Sequence, residues 1–203
     1  MFLPRIYPIT DKRLTKLSHA EQVKRLIDGG AQVIQLREKH GSPKDFYESA
    51  KEAIKIARVS SVQIIINDRV DITLAVGAGG VHLGQDDLPP ACARKILGEN
   101  AIIGFSTHNL EEAAQASTLP IDYLAIGPVF ASTTKENAEK TVGIEGVKKV
   151  REAIGNFPLV AIGGITFENF REVLSAGANS VAIINNLLCE PSRITATMKK
   201  FSV

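Results

Sequence analysis

Eight short runs of mostly apolar, often β-branched residues recur along this chain, and each run ends in a polar or glycine-rich turn. Segments with the helical spacing of apolar residues separate the runs. This alternation predicts an α/β fold with a parallel sheet covered by helices, and eight units are the number that closes a (β/α)₈ TIM barrel. The predicted strands are residues 5–10, 33–38, 64–68, 80–83, 102–107, 123–130, 159–165 and 181–185.

The chain length fits that barrel. Barrels of this type have a lower limit of about 200 residues, so the 203 residues predict one domain over 1–203 with short connections. The exception is the polar connection of residues 131–143 after the sixth strand, which is about twice the usual length. Long connections at the carboxyl ends of barrel strands are typical of binding loops, and we expect this one to contact a ligand.

Composition and charge argue against several partners. The net charge is +2 without a basic block, so we expect no nucleic acid partner. No apolar stretch approaches the ~18 residues of a membrane span, and the first residues lack the features of a signal peptide. Cys92 and Cys189 stand far apart and outside any metal-binding spacing, which favours reduced thiols and a cytoplasmic protein.

Several helix starts can be read from capping residues. Ser18 followed by Glu21 predicts a capping box, and Ser42 before Pro43 predicts the start of another helix. Thr166 predicts the start of the helix that precedes the eighth strand.

The second strand ends in a group of polar side chains. Because side chains alternate along a strand, Gln35, Arg37 and Lys39 point to one side and Leu36 to the other. If Leu36 faces the helices, two cations point into the barrel mouth, where an unpaired buried charge is costly. The pattern therefore predicts an anion such as phosphate at this point, although a solvated strand end remains an alternative.

Acidic residues follow the next two strands. Asn67 and Asp68 end the third strand, and Asp87 follows the fourth. Carboxylates from neighbouring strands can converge at the mouth, and Mg²⁺ commonly binds one or two carboxylates together with substrate phosphates. We therefore predict a magnesium site at Asp68 and Asp87. The alternative is that these residues only cap the following helices.

The other side of the mouth has the features of a second phosphate site. The loops after the seventh and eighth strands contain Gly164 and Asn185, and these loops form a recurring phosphate site in such barrels. The long connection adds three hydroxyls and an amine that can close over a phosphate, at Ser132, Thr133, Thr134 and Lys135. Two phosphorylated groups are therefore predicted.

Three further polar residues have weaker signals. His82, within the fourth strand, is expected to be a packed and hydrogen-bonded side chain. Ser106 lies two residues from His108, but no Gly-x-Ser-x-Gly surrounds it, so a hydrolase triad is not supported. Asp11, after the first strand, receives no role.

Together these residues resemble the thiamine-phosphate synthase family. The resemblance runs in order through nearly the whole chain. It is carried by Gln35-Leu36-Arg37-Glu38-Lys39, Asn67-Asp68-Arg69-Val70-Asp71, His82-Leu83-Gly84-Gln85-Asp86-Asp87, Gly127-Pro128-Val129-Phe130 with Thr134-Lys135, and Ala161-Ile162-Gly163-Gly164-Ile165.

The resemblance implies a transferase of thiamine biosynthesis. Members of this family join 4-amino-2-methyl-5-pyrimidinylmethyl diphosphate to a thiazole ethyl phosphate, or its carboxylated tautomer, and release diphosphate. The implied reaction is a dissociative, Mg²⁺-assisted displacement that needs no general base, with Arg37, Lys39 and Lys135 as the catalytic cations. The implied partners are therefore small molecules, and a homo-oligomer is left open.

The resemblance also implies a role for each matching residue. The pyrimidine diphosphate contacts would be Gln35, Leu36, Arg37, Glu38, Lys39, Asn67, His82, Ser106 and Lys135. The thiazole phosphate contacts would be Ser132, Thr133, Thr134, Gly164, Ile184 and Asn185. Asp68 and Asp87 would hold Mg²⁺.

Two departures concern the thiazole phosphate. Ser132 stands where the family commonly has Thr, and Asn185 where Ser is usual. If either change abolished binding, a regulator that binds intermediates without turnover would be favoured. A related thiazole tautomerase is the other alternative. It is expected to use a histidine after the glycine of strand six, where this chain has Pro128.

Overall fold

The computed structural model describes residues 3–131 and 140–201, and these form a closed barrel of eight parallel strands. The strands pair in chain order, and the last pairs with the first. The predicted (β/α)₈ fold is therefore confirmed. The strands are β1 (Ile6–Asp11), β2 (Val33–Arg37), β3 (Gln63–Asn67), β4 (Gly80–Leu83), β5 (Ile102–Thr107), β6 (Tyr123–Ile126), β7 (Leu159–Ile162) and β8 (Ser180–Ile183).

Helices connect the strands and cover the barrel. None of the helices in the described ranges is long and apolar enough to cross a membrane. The helices are α1 (Lys12–Thr15), α2 (His19–Asp28), α3 (Pro43–Val59), α4 (Val70–Val76), α5 (Pro90–Leu97), α6 (Leu110–Ala116), α7 (Gly143–Ile154), α8 (Phe170–Ser175), α9 (Asn185–Leu188) and α10 (Ile194–Phe201), with a 3₁₀ turn at Pro191–Arg193.

Two apolar layers follow from the alternation of side chains along the strands. The larger layer lies between strands and helices and includes Ile34 and Leu36. The smaller layer fills the barrel interior, with Tyr7, Ile9, Val33, Ile65, Tyr123, Ala125, Val160 and Ala182. The interior is therefore packed, and free space is left at the carboxyl ends of the strands.

The capping predictions have different outcomes. Glu21 N donates to Ser18 Oγ (3.2 Å) and Ser18 N donates to Glu21 Oε2 (2.9 Å), which confirms the capping box. Asp45 N donates to Ser42 Oγ (3.1 Å), which confirms the start of α3. The predicted helix start at Thr166 is wrong, because Asn169 Oδ1 accepts from Thr166 N (2.8 Å) in a turn that precedes α8.

Three predicted strands extend two or more residues beyond the observed carboxyl ends. Strand β6 ends before Gly127, β7 ends before Gly163, and β8 ends at Ile183. Apolar residues such as Val129 and Ile165 follow these ends and are buried in the layer between strands and helices. Hydrophobicity alone therefore overestimated strand length, since loop residues at the mouth also pack into the core.

Candidate active site

A cavity of about 580 Å³ opens at the carboxyl ends of the strands. This volume lies within the range of ordinary small-molecule sites. Its lining includes Tyr7, Gln35, Arg37, Lys39, Asn67, Asp68, His82, Asp87, Ser106, Tyr123, Gly163, Gly164, Ile184 and Asn185. The predicted residues from separate strand ends are thus brought to one place, apart from those considered below.

Side chains of the second strand point alternately into the cavity and toward the helices. Gln35, Arg37 and Lys39 line the cavity, as the alternation predicts. Leu36 is fully buried in the layer that faces the helices. Glu38 Oε1 instead accepts from the backbone N–H groups of residues 40 and 41 (3.2 Å each). Leu36 and Glu38 are not among the residues that line the cavity, so their contact with a ligand there stays a prediction.

The two cations of β2 have carboxylate partners within the chain. Arg37 Nη1 donates to Asp11 Oδ2 (3.1 Å), and Lys39 Nζ donates to Asp68 Oδ2 (2.5 Å). Both cations are therefore paired, and the expectation that they would be unpaired without an external anion is wrong. The cations still line the cavity, and charge-assisted hydrogen bonds of this kind hold a guanidinium or ammonium group in place for a ligand.

The carboxylates of Asp68 and Asp87 face one another. Asp68 has a φ of 64°, a left-handed conformation that Asp tolerates better than most residues. Burial, and then the charge of Asp68, raises the pKa of Asp87, although Gly84 N donates to Asp87 Oδ2 (2.7 Å) and opposes this. The capping alternative is not supported, since α4 begins after Arg69 and α5 after Pro89, each without a side-chain cap.

This pair fits a magnesium ion that shares its ligands with a substrate. Two facing carboxylates repel each other, and a divalent cation would relieve that repulsion. Among the described residues no group of three or more His, Cys, Asp or Glu is placed to hold a metal. A pair of carboxylates is a ligand set that suits Mg²⁺, which accepts one or two carboxylates and takes its other oxygens from phosphate and water.

Asn67 contributes a donor beside the same carboxylates. The residue is buried and lines the cavity, and its Nδ2 has no hydrogen-bond partner within the described ranges. A buried donor without a partner costs about 1–3 kcal/mol. An acceptor atom supplied by a ligand would remove that cost.

The floor of the cavity carries a chain of hydrogen bonds. Gln35 Nε2 donates to the Tyr7 hydroxyl (3.3 Å), which lies 3.0 Å from the Tyr123 hydroxyl. The Tyr123 hydroxyl lies 2.9 Å from His82 Nδ1, and His82 Nε2 lies 2.9 Å from Ser106 Oγ. His82 is thus packed and hydrogen-bonded, as predicted. Ser106 Oγ is paired with His82 Nε2, and the Tyr123 phenol lies at His82 Nδ1, where a hydrolase triad has a carboxylate.

The opposite wall is built from the loops after β7 and β8. Gly163 and Gly164 have φ values of 103° and 62°, which favour glycine. A Cβ on Gly164 would lie 2.6 Å from Ala131 O, so this wall also requires a residue without a side chain. Gly164, Ile184 and Asn185 all line the cavity. Four predicted site residues, Ser132, Thr133, Thr134 and Lys135, lie outside the described residues.

Three residues of the site were not found from the sequence. Asp11 caps α1 by accepting from Arg13 N (2.8 Å) while it holds Arg37. Tyr7 and Tyr123 lie in strands and are almost completely buried. A buried tyrosine usually needs a hydrogen-bond partner, so a tyrosine at an inward strand position was the available signal for the last two.

Comparisons with known proteins agree with this geometry. A sequence model described as thiamine monophosphate synthase matches residues 6–187. The chain is 45% identical over 182 residues to the thiamine-phosphate synthase of Chloroflexus aurantiacus, covering 89% of this chain and 83% of that protein. It is 43% identical over 185 residues to that of Clostridium novyi, covering 91% and 90%.

A solved structure is also similar over almost the full chain. The thiamine phosphate pyrophosphorylase from Pyrococcus furiosus superimposes with a TM-score of 0.88 at 36% identity. The match covers 98% of this chain and 93% of the other. The likeness therefore extends from the sequence motifs to the complete barrel.

Proposed function

The chain belongs to the thiamine monophosphate synthase family, and on that premise we propose how its cavity carries out the reaction. The activity is that of a transferase that makes thiamine phosphate. The proposed substrates are 4-amino-2-methyl-5-pyrimidinylmethyl diphosphate and a thiazole ethyl phosphate. Their two phosphorylated ends would occupy opposite walls of one cavity.

The observation that carries the proposal is the charge arrangement of that cavity. Arg37, Lys39, Asp68 and Asp87 converge on one wall, and the turn at Gly164 forms the other. The first wall suits a diphosphate held with Mg²⁺. The second suits a single phosphate held by backbone N–H groups.

The proposed step is a displacement at the pyrimidine methylene. The carbon–oxygen bond to diphosphate breaks, and its electron pair leaves with the diphosphate oxygen. The aminopyrimidine ring delocalises the resulting positive charge, and the thiazole nitrogen then forms the new carbon–nitrogen bond with its lone pair. No proton has to be removed in this step, so it needs no general base.

The residues of the first wall would act on the leaving group. Negative charge grows on the diphosphate oxygens as the bond breaks, so fixed cations at Arg37 and Lys39 stabilise that state more than the ground state. Mg²⁺ bound at Asp68 and Asp87 would add further positive charge at these oxygens. Lys135 is proposed to close on the same group.

A diphosphate-release assay tests the proposal. The protein is incubated with both substrates at increasing Mg²⁺, with Asp68→Asn and Asp87→Asn as variants. We expect each variant to lower turnover by about a hundredfold, the typical cost of losing one charge contact to a transition state, and to raise the Mg²⁺ concentration needed. Asp71→Asn is the matched control, because Asp71 pairs with Arg69 on the surface.

Three outcomes would contradict the proposal. Normal turnover in both variants would show that Asp68 and Asp87 do not hold a Mg²⁺ ion that the reaction needs. Isomerisation of the carboxylated thiazole without diphosphate release would indicate the tautomerase alternative. Tight binding of both substrates with no turnover of the unmodified protein would indicate a regulator.

A further inference from the structure

The hydrogen-bond chain on the cavity floor connects two groups that face the ligand. Gln35 stands at one end and Ser106 at the other, and both line the cavity. Between them lie Tyr7, Tyr123 and His82, linked by contacts of 2.9–3.3 Å. Each link depends on which partner carries the hydrogen, so the direction of donation at one end constrains the other.

The interior is shaped to hold this chain in place. A Cβ on Gly104 would lie 2.1 Å from Tyr123 Cζ, so glycine at this position leaves the space for the phenol ring. The Tyr7 ring meets the Tyr123 ring edge-on at 6.0 Å, and the His82 ring stacks on Tyr123 at 5.5 Å. These contacts pack the three rings against one another.

Donation by Gln35 at the first link leads to one assignment of the hydrogens that gives every donor along the chain an acceptor. Gln35 Nε2 donates to the Tyr7 oxygen, so the single hydrogen of Tyr7 is available for Tyr123. The hydrogen of Tyr123 then goes to His82 Nδ1. A neutral imidazole has one N–H, which His82 Nε2 then donates to Ser106. Burial raises the pKa of Tyr7 to about 12 and that of Tyr123 well above its usual value, so both phenols keep their hydrogens at neutral pH.

We propose that Tyr7 and Tyr123 are positioning residues that select an amino-substituted pyrimidine over an oxo-substituted one. The hydrogen-bond chain from Gln35 to Ser106 acts as a relay. It leaves Gln35 Oε1 as an acceptor and the Ser106 hydroxyl as a donor toward the ligand. An aminopyrimidine offers the complementary pair, an amino donor and a ring-nitrogen acceptor. An oxopyrimidine offers a carbonyl acceptor and a ring N–H donor, which the relay would leave mismatched. This inference rests on the proposed function.

Replacement of each phenol by Phe tests the relay, because Phe keeps the ring and removes only the hydroxyl. We expect Tyr7→Phe and Tyr123→Phe each to lower kcat/KM for the aminopyrimidine diphosphate about tenfold. The loss should be much smaller for the oxo analogue, so selectivity falls. The KM of the thiazole phosphate should not change. Tyr47→Phe is the matched control, since Tyr47 lies on the outer helix α3.

The double variant distinguishes a relay from two separate contacts. If both phenols belong to one chain, the Tyr7→Phe/Tyr123→Phe protein should lose little more than either single variant. Additive losses of about a hundredfold, or single-variant losses equal for both pyrimidines, would overturn the proposal.

A measurement on the ligand-free protein separates this inference from the proposed function. Nitrogen NMR of the imidazole should show His82 protonated at Nε2, and Tyr123→Phe should remove that preference. A His82 protonated at Nδ1 in the unmodified protein would refute the assigned direction, whatever the activity. Failure of the unmodified protein to release diphosphate, with the Nε2 form present, would instead contradict the proposed function alone.

Discussion

His19 should make the stability of this barrel strongly dependent on pH. Its side chain is fully buried at the start of α2, and Nδ1 lies 2.7 Å from Thr10 Oγ1. Its Nε2 has no hydrogen-bond partner among the described residues. Burial lowers the pKa of His19 from 6.5 to about 4, and it outweighs the attraction of Glu38 at 3.9 Å. The charge of Lys12 also lowers the pKa of His19, whereas the charge of Asp11 raises it.

The direction and size of the effect follow from linkage. The unfolded chain binds a proton at His19 below pH 6.5, whereas the folded protein resists it until about pH 4. The unfolded state therefore holds more protons in that window, and stability rises with pH. The full contribution is present above pH 6.5 and is lost as pH falls toward 4. At 1.36 kcal/mol per pH unit it amounts to about 3 kcal/mol.

Urea unfolding followed by circular dichroism between pH 7 and 4 measures this contribution. Carboxylates also titrate in this range, so the comparison with His19→Gln isolates the histidine. The unmodified protein should lose about 3 kcal/mol more than His19→Gln across the window. His40→Gln, at an exposed position, is the matched control. Curves for His19→Gln and the unmodified protein that stay parallel within about 0.5 kcal/mol would refute the reasoning.

Three further predictions concern the site. Asp11→Asn keeps the helix cap but loses the ion pair to Arg37, so the KM of the pyrimidine diphosphate should rise about tenfold while that of the thiazole phosphate stays unchanged in steady-state kinetics. Gly104→Ala should lower the free energy of unfolding in urea by about 2 kcal/mol, because its Cβ would meet Tyr123 at 2.1 Å. In an alkaline ultraviolet titration, Tyr7 and Tyr123 should stay protonated at about pH 11 in the folded protein, whereas all three tyrosines of the urea-unfolded chain should ionise near pH 10.

Much of the architecture could be predicted because it depends on local pattern. The alternation of strands and helices is repeated eight times, and each repeat is an independent signal for the same barrel. The opposite directions of Gln35 and Leu36 follow from the geometry of any strand. The closeness of Asp68 and Asp87 follows from the fact that neighbouring strand ends share one face of a closed parallel sheet.

The sequence by itself therefore determined the barrel, the face that carries the site and most of the polar residues at that face. Only the tertiary structure decided their partners. The ion pair of Asp11 with Arg37 spans 26 positions, and the contact of Tyr7 with Tyr123 spans 116. Such pairs depend on barrel closure and on the space left by residues such as Gly104. The physical reason is that the alternation along a strand determines which side of the sheet a residue faces. The partner of that residue depends on which side chains the other strands place on the same side.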